Sequence, residues 1–311
     1  MRYFITIDGG GTKTDSVLFD ETGHVVLRDI SMGCNALDAG IEVAKNRFTE
    51  IFTKMCEASP SGSIDAAFCG VAGSFPYAKS FKEEVLPKLA VKSFRMQTDF
   101  SMMISGMIGT GDGCAMVCGT GGSLGIRKNG EIVKHIGGRG YLIDAMGGGY
   151  SIAREGLHRC YRALDGRDEH TLLVDLFEKE IGKPLLDSVG DFYFGGRRYI
   201  ASFAHLVFEG RELGDRACYE IIDKCSTKLA EYTWAAEKDF DGQFPVVMGG
   251  GIFVAYPYYA EMVKAKASRK AKMIMSNVPP VYGGAVEAMA DAGLACDESF
   301  KTTFLREYAE A

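Results

Sequence analysis

The chain has 311 residues, of which 47% are hydrophobic and 24% charged, as in a typical soluble globular protein. This length exceeds one ordinary core and fits two domains. A net charge of −6 without any block of Lys or Arg argues against nucleic acid as a partner. The chain shows no apolar run of membrane-spanning length and no leader-like segment before the first strand, so we expect a cytoplasmic protein without a membrane partner.

A glycine turn follows the first predicted strand, residues 3–7. Asp8 ends this strand, and a second strand begins at Asp15. Glycine is favoured where φ is positive or where a ligand must approach the backbone, so a phosphate chain is the expected ligand. The predicted phosphate-binding residues are Gly9, Gly10, Gly11, Thr12 and Lys13, and Asp8 is placed to hold a hydrated Mg²⁺. A glycine-rich hairpin without a ligand is the structural alternative.

The rest of the first hundred residues predicts an ordered set of strands and helices. Apolar positions at helical spacing between 41 and 55 predict a helix, and the other elements are a strand at 24–30, a strand at 64–71, a helix ending at 89 and a strand at 94–98. Asp99 follows the last of these strands. Such a carboxylate can act as a general base or simply cap the helix predicted at 101–107, and the residues alone leave both functions open.

The same order then begins again. Strands are predicted at 114–118, 123–127 and 131–136, with the glycine turn 119–122 after the first of them. This repetition indicates a duplicated α/β domain with one phosphate-gripping hairpin in each copy. Helices are expected at 151–164, 170–181, 199–209 and 215–237. A strand at 245–248 then runs into a third glycine cluster, at the carboxyl end where open parallel sheets place ligands: Gly249, Gly250 and Gly251.

Nine cysteines are scattered without the paired spacing of a disulfide framework or a zinc site. Cys114 and Cys118 are the closest pair, and four residues apart on a predicted strand they lack the geometry of a zinc knuckle. All nine are therefore expected to be reduced thiols.

These motifs, in this order, resemble the sugar kinase, Hsp70 and actin superfamily over essentially the full length. Within it, the chain is most similar to the branch of N-acetylglucosamine kinases and BadF/BadG/BcrA/BcrD ATPases. The resemblance implies two ribonuclease H-like (actin-like ATPase) domains with an interdomain nucleotide cleft, and ATP with Mg²⁺ as cofactors. It implies nucleotide contacts from the first turn, from the third cluster as the adenosine loop, and from Gly119, Thr120 and Gly121.

The resemblance also implies an acceptor site. Asp99 matches the catalytic base of these kinases, and the matched acceptor-binding positions are Asn35, Asp99, Gly122, Ser123, Gly138, Arg139, Gly140 and Asp144. For Asn35 a purely turn-forming function is the alternative. Arg139 stands where the family usually has Trp, and Ala145-Met146 replace an acidic pair. We therefore hypothesise that the acceptor differs from plain N-acetylglucosamine and carries a negative charge that Arg139 can bind.

The expected function is an ATP-dependent kinase that transfers the γ-phosphoryl group to a hydroxyl of a small carbohydrate, most readily an amino sugar. The alternatives are a BadF-type ATPase that activates a dehydratase or reductase, and a weakly catalytic nucleotide or sugar sensor. The first domain is predicted at residues 1–111 with 297–311, and the second at 112–296. A homodimer is compatible with the apolar helix faces of the second domain.

Overall fold

The computed structural model describes residues 1–73, 75–144 and 147–311. The chain divides into two compact units. The first contains residues 1–115, 126–133 and 274–311, and the second contains 116–125 and 134–273. The domain boundaries expected from the sequence, 1–111 with 297–311 and 112–296, remain a prediction about folding domains. In the division into compact units, the C-terminal segment of the first unit starts at Ile274.

The first sheet has five strands in the order β3-β2-β1-β4-β5. Its strands are β1 (Tyr3–Gly9), β2 (Lys13–Asp20), β3 (Val25–Met32), β4 (Ile64–Val71) and β5 (Val91–Gln97). β1, β2 and β3 pair in antiparallel fashion, whereas β1 with β4 and β4 with β5 are parallel. The carboxyl ends of β1, β4 and β5 therefore lie at the same edge of the sheet.

The second sheet repeats this plan. Its strands are β6 (Gly113–Cys118), β7 (Gly122–Lys128), β8 (Glu131–Gly137), β9 (Phe244–Gly249) and β10 (Ala271–Met275). The order is β10-β9-β6-β7-β8. Read from the β8 edge, it is β8-β7-β6-β9-β10, in which each strand takes the place of β3, β2, β1, β4 and β5 of the first sheet. The duplicated α/β fold expected from the sequence is thereby confirmed.

Helices fill the connections. They are α1 (Ala36–Ala39), α2 (Ile41–Glu57), α3 (Phe75–Ser80), α4 (Asp99–Ile108), α5 (Gly149–Leu164), α6 (Leu173–Ile181), α7 (Val189–Ser202), α8 (Ala204–Glu212), α9 (Arg216–Ala236), α10 (Gly251–Ala255), α11 (Pro257–Lys266), α12 (Pro280–Asp291) and α13 (Glu298–Glu310). No helix within the described ranges is long and apolar enough to cross a bilayer.

Some elements differ from the sequence expectation. The helix expected at 199–209 is two helices, α7 and α8, and α6 begins at Leu173 rather than at residue 170. The segment expected to be one helix up to residue 89 changes from α3 to a π-helical turn at Phe81–Val85 and a 3-10 turn at Leu86–Lys88. Pro87 explains the last change, because proline cannot donate the backbone hydrogen bond that a continuing helix requires.

Aromatic side chains fill both faces of the first sheet. On one face the rings of Phe48 and Phe81 meet edge to face with centroids 4.8 Å apart. On the other, Phe19 packs edge to face on Phe304 at 5.3 Å. Phe304 belongs to α13, so the last helix packs on the first sheet. Such contacts add about 0.5–1.5 kcal/mol each beyond the burial of area.

A buried ionic cluster joins β7, α4 and α12 in the first unit. Arg127 is fully buried, and its Nη1 donates to Oε1 of Glu287 at 2.9 Å and to the Ser105 hydroxyl. Its Nε donates to the carbonyl of Gly111 at 3.0 Å, and its Nη2 donates to the carbonyl of Gly109 at 2.6 Å. Burial lowers the pKa of Arg127, and the Glu287 carboxylate counteracts that effect. The guanidinium thus fixes the segment between α4 and β6.

We expect Glu287→Gln to lower the free energy of unfolding by about 3–5 kcal/mol, because Arg127 would remain buried without its partner charge. Urea denaturation followed by circular dichroism measures this loss. Asp291→Asn is the matched control: Asp291 pairs with Arg95 at 2.9 Å where both side chains are partly exposed, and the expected loss is below about 1 kcal/mol. Similar losses in the two variants would contradict the importance of the buried charge.

Candidate functional site

The first glycine turn has a tightly packed backbone. The N–H of Gly10 donates to the carbonyl of Lys13 at 2.9 Å and closes the turn between β1 and β2. A Cβ atom on Gly9 would lie 2.7 Å from Sγ of Cys34, and one on Gly33 would overlap the backbone of Gly11. The side chains of Thr12 and Lys13 are nevertheless exposed. Neighbouring residues therefore hold the turn while its polar side chains remain accessible.

Two carboxylates lie close together at the carboxyl edge of the first sheet. The pKa of Asp8 is raised to about 7, chiefly by burial and then by the nearby charges of Asp99 and Asp15, while Lys13 opposes the rise. Burial also raises the pKa of Asp99, although the backbone N–H groups of Asp99 and Phe100 donate to its carboxylate and oppose the shift. The structure thus brings the predicted metal ligand and the predicted base together.

Asp99 both begins a helix and faces the site. It is the first residue of α4, where the positive end of the helix dipole favours a carboxylate. The preceding residue, Thr98, makes no capping hydrogen bond, and its buried Oγ1 has no partner in the described part of the chain. Asp99 is therefore not the N-cap residue that the sequence alternative expected, because the helix begins at Asp99 itself and Thr98 holds the cap position. The function of Asp99 as a general base remains a prediction.

Asn35 caps a short helix. Its Oδ1 accepts from the N–H of Leu37 at 2.8 Å at the start of α1. The side chain also lies against Gly73, which has φ of 68° and no room for a Cβ. The turn-forming function is therefore present, and a contact with the acceptor remains a prediction.

The second glycine turn is held by the start of α5. The N–H of Gly119 donates to the carbonyl of Gly121 at 2.9 Å. The first residues of α5 donate in turn: Gly149 to the Gly119 carbonyl at 2.8 Å, and Tyr150 to the Thr120 carbonyl at 2.9 Å. Thr120 and Gly121 are exposed. The backbone of this turn is therefore fixed without covering it with side chains.

The third glycine cluster packs on the strand that leads into the second turn. Gly250 has φ of 108°, and a Cβ atom there would overlap the carbonyl of Cys118 at the end of β6. Gly249 ends β9 and Gly251 begins α10. The second unit therefore brings the predicted adenosine loop and the predicted second phosphate loop together.

A cavity of about 70 Å³ in the second unit joins residues of the predicted nucleotide and acceptor sites. It is lined by Thr120, Gly121, Gly122, Gly138, Gly140, Tyr141, Asp144 and Arg197. Ser123 lies beside it, because a Cβ on Gly138 would come within 2.9 Å of the Ser123 Cβ. Four predicted acceptor residues, Gly122, Gly138, Gly140 and Asp144, thus share one cavity with the second glycine turn.

Arg139 does not line that cavity. Its side chain is exposed, and Nη2 donates to the carbonyl of His135 at 3.4 Å. Ala145 and Met146 lie outside the described residues. Sequence reasoning missed Arg197, which α7 presents immediately after Gly196, where φ of 68° interrupts the helix. The consecutive glycines before this arginine were the available indication of a special backbone there.

The repeated sheet order and the glycine turns define a protein of the sugar kinase, Hsp70 and actin superfamily. The BadF/BadG/BcrA/BcrD ATPase family profile matches residues 5–289. The chain belongs to this family.

Individual relatives carry more specific names. An N-acetyl-D-glucosamine kinase of Dictyostelium discoideum is 26% identical over 321 residues, covering 92% of this chain and 97% of that protein. A glucosamine kinase of Vibrio cholerae is 24% identical over 237 residues, covering 74% and 78%. A solved candidate N-acetylglucosamine kinase from Chromobacterium violaceum shares the fold with a TM-score of 0.69 at 19% identity, covering 93% of this chain and 99% of that one.

We expect Asp8→Asn to stabilise the metal-free protein above pH 7 by about 4 kcal/mol. The folded-state pKa of Asp8, about 7, lies above the ordinary value of 3.8, so the folded protein loses stability as the pH rises between these values. The amide variant lacks this loss. Thermal unfolding in EDTA at several pH values measures the difference, which should grow from pH 4 to pH 7 and then level off. A difference independent of pH would contradict the expectation.

We expect Gly250→Ala to lower the free energy of unfolding by about 2 kcal/mol or more, because alanine is strained at positive φ and meets the Cys118 carbonyl. Gly251→Ala is the matched control, because a Cβ atom there meets no heavy atom within 4 Å. Chemical denaturation compares the two, and equal stabilities would show that the close approach is not required.

Proposed function

We propose that the protein is an ATP-dependent kinase that phosphorylates a hydroxyl group of an amino sugar or a close derivative. The observation that carries the proposal is the carboxylate pair Asp8 and Asp99 at the sheet edge, beside the first glycine turn. The named activities of the Dictyostelium and Vibrio relatives point to the same acceptor class. Because the alignments cover most of the length of each relative, they support proposing the whole activity for this chain.

In phosphoryl transfer, the protein mainly positions groups and stabilises charge. The proposed nucleotide contacts are the backbone donors and polar side chains of the three glycine segments: Gly9, Gly10, Gly11, Thr12, Lys13, Gly119, Thr120, Gly121, Gly249, Gly250 and Gly251. The proposed acceptor contacts are Asn35, Gly122, Ser123, Gly138, Arg139, Gly140 and Asp144. Asp99 would take the proton of the acceptor hydroxyl. The hydroxyl oxygen would then bond to the γ-phosphorus while the bond from that phosphorus to the β–γ bridging oxygen breaks.

The residues at the first turn fit a magnesium ion. Asp8 is a carboxylate whose pKa is raised by burial and by two further carboxylates, so a cation would relieve an unfavourable concentration of negative charge. No group of three or more metal-ligating side chains occurs in the described ranges. This agrees with Mg²⁺, which keeps water ligands and binds through one or two carboxylates plus substrate phosphates. When bound, the ion would neutralise charge on the phosphates.

We expect purified protein to phosphorylate at least one member of a panel of neutral and acidic amino sugars, detected as ATP-dependent sugar phosphate by mass spectrometry. Asp99→Asn should lower kcat by about 10²–10⁴-fold, because a general base contributes on that order. Asp65→Asn is the control: this carboxylate pairs with Lys92 at the opposite end of β4 and should leave kcat unchanged. Undiminished activity of Asp99→Asn would remove Asp99 from the base function.

The raised pKa of Asp99 gives the same enzyme a pH dependence. Burial disfavours the charged carboxylate, so Asp99 takes up a proton at a higher pH than an ordinary aspartate. We therefore expect kcat/KM to fall on the acid side as Asp99 becomes protonated. The acid limb should be absent from the residual activity of Asp99→Asn.

The activator and sensor alternatives can be tested separately. None of the nine cysteines, all within the described residues, is exposed, and burial raises the pKa of Cys118 well above its usual range. This does not favour thiolates that bridge an iron–sulfur cluster. An anaerobic absorbance spectrum with a cluster band would support the activator, whereas sugar and nucleotide binding without turnover would support a sensor.

A further inference from the structure

We propose that Arg197 binds the phosphoryl group in transit and stabilises its charge in the transition state. The inference deepens the proposed function and rests on it. Arg197 is one of the eight residues that line the cavity shared by the second glycine turn and the acceptor loops. The γ-phosphoryl group must pass between nucleotide and acceptor, so a cation in a cavity built from both sites is positioned for it.

The chemistry of the lining supports an oxyanion as the partner of Arg197. The cavity wall includes Thr120, Gly121 and Gly122, whose segment carries backbone donors and no acidic side chain. Asp144, on another wall, can accept hydrogen bonds from hydroxyl or ammonium groups of an acceptor but disfavours a phosphate. A planar guanidinium can donate two parallel hydrogen bonds to oxygens of one phosphoryl group.

The backbone of α7 is built to present this side chain. Gly196 has φ of 68°, a conformation that favours glycine, and it separates the two helical parts of α7. A Cβ on the preceding Gly195 would overlap the ring of Tyr199, so the two glycines allow the chain to break and turn at this point. Tyr199 in turn packs edge to face on Phe203 with centroids 4.9 Å apart, which anchors the second part of the helix. Arg197 therefore extends from a fixed bend rather than from a regular helix.

The location separates the functions of two arginines. Arg139, in the acceptor loop itself, is exposed and donates to its own segment at His135. Arg197 comes from a different element and reaches the cavity that Arg139 does not line. An exposed charge outside the cavity lining would alter acceptor affinity, whereas a charge in the cavity wall beside the second glycine turn would act on the transferred group. This gives a kinetic distinction between them.

The test is steady-state kinetics with the best amino sugar found in the panel, using Arg197→Gln, Arg197→Lys and the neighbouring control Arg198→Gln. We expect Arg197→Gln to lower kcat about 10²–10³-fold with KM for the sugar changed less than about threefold, as for removal of a transition-state donor. Arg197→Lys should recover part of kcat, since it restores the charge without the planar fork. Arg198→Gln, whose side chain does not line the cavity, should behave as wild type.

A second readout separates this charge effect from misfolding. ATP binding by calorimetry and the Tm should match wild type in Arg197→Gln. If instead KM for the sugar rises at constant kcat, Arg197 binds the acceptor and the proposal is overturned. Unchanged kinetics would overturn it too. Absence of sugar phosphorylation by wild-type protein would refute the proposed function itself, so the two failures are distinguishable.

Discussion

The candidate site depends on one constraint: at several glycines, two backbone segments lie too close together to leave room for a Cβ atom. At Gly33 beside Gly11, and at Gly250 beside Cys118, an added methyl group would overlap the neighbouring main chain. Gly148 meets Gly121 in the same way. Since other backbone segments hold these turns, the turns can stay rigid without side chains of their own. We propose that such rigid turns bind a phosphate chain, because main-chain N–H groups in turns can form anion sites.

Two buried charged groups of the first unit have opposite surroundings. The buried Arg127 guanidinium meets the Glu287 carboxylate and backbone carbonyls, so its burial is compensated. Asp8 is instead buried near Asp99 and Asp15, and burial together with these two carboxylates raises its pKa. Such uncompensated charge lowers stability and concentrates at functional sites, where a ligand or a transferred proton completes the balance.

Membership of the BadF/BadG/BcrA/BcrD family does not specify the acceptor, which depends on the residues that line its binding site. The curated relatives are named for amino sugars, yet the segment around Arg139 departs from the pattern that the sequence resembles. In the second unit, Arg197 of α7 lines one cavity together with residues of the segments 120–122 and 138–144. The lining of this cavity therefore comes from elements far apart in sequence, which a comparison of short motifs does not capture.

The sequence by itself determined the succession of the first nine strands, the duplication and the three glycine turns, because periodicity and glycine clusters are local properties of the chain. It placed β4 at the same residues that the structure does. Only the tertiary structure decided that Arg127 pairs with Glu287, 160 residues away, and that Arg197 joins the second turn. It also revealed β10, whose five residues are too few for a clear alternation. Residues that are distant along the chain and meet only through tertiary packing form no regular sequence pattern, so the sequence does not predict their contact.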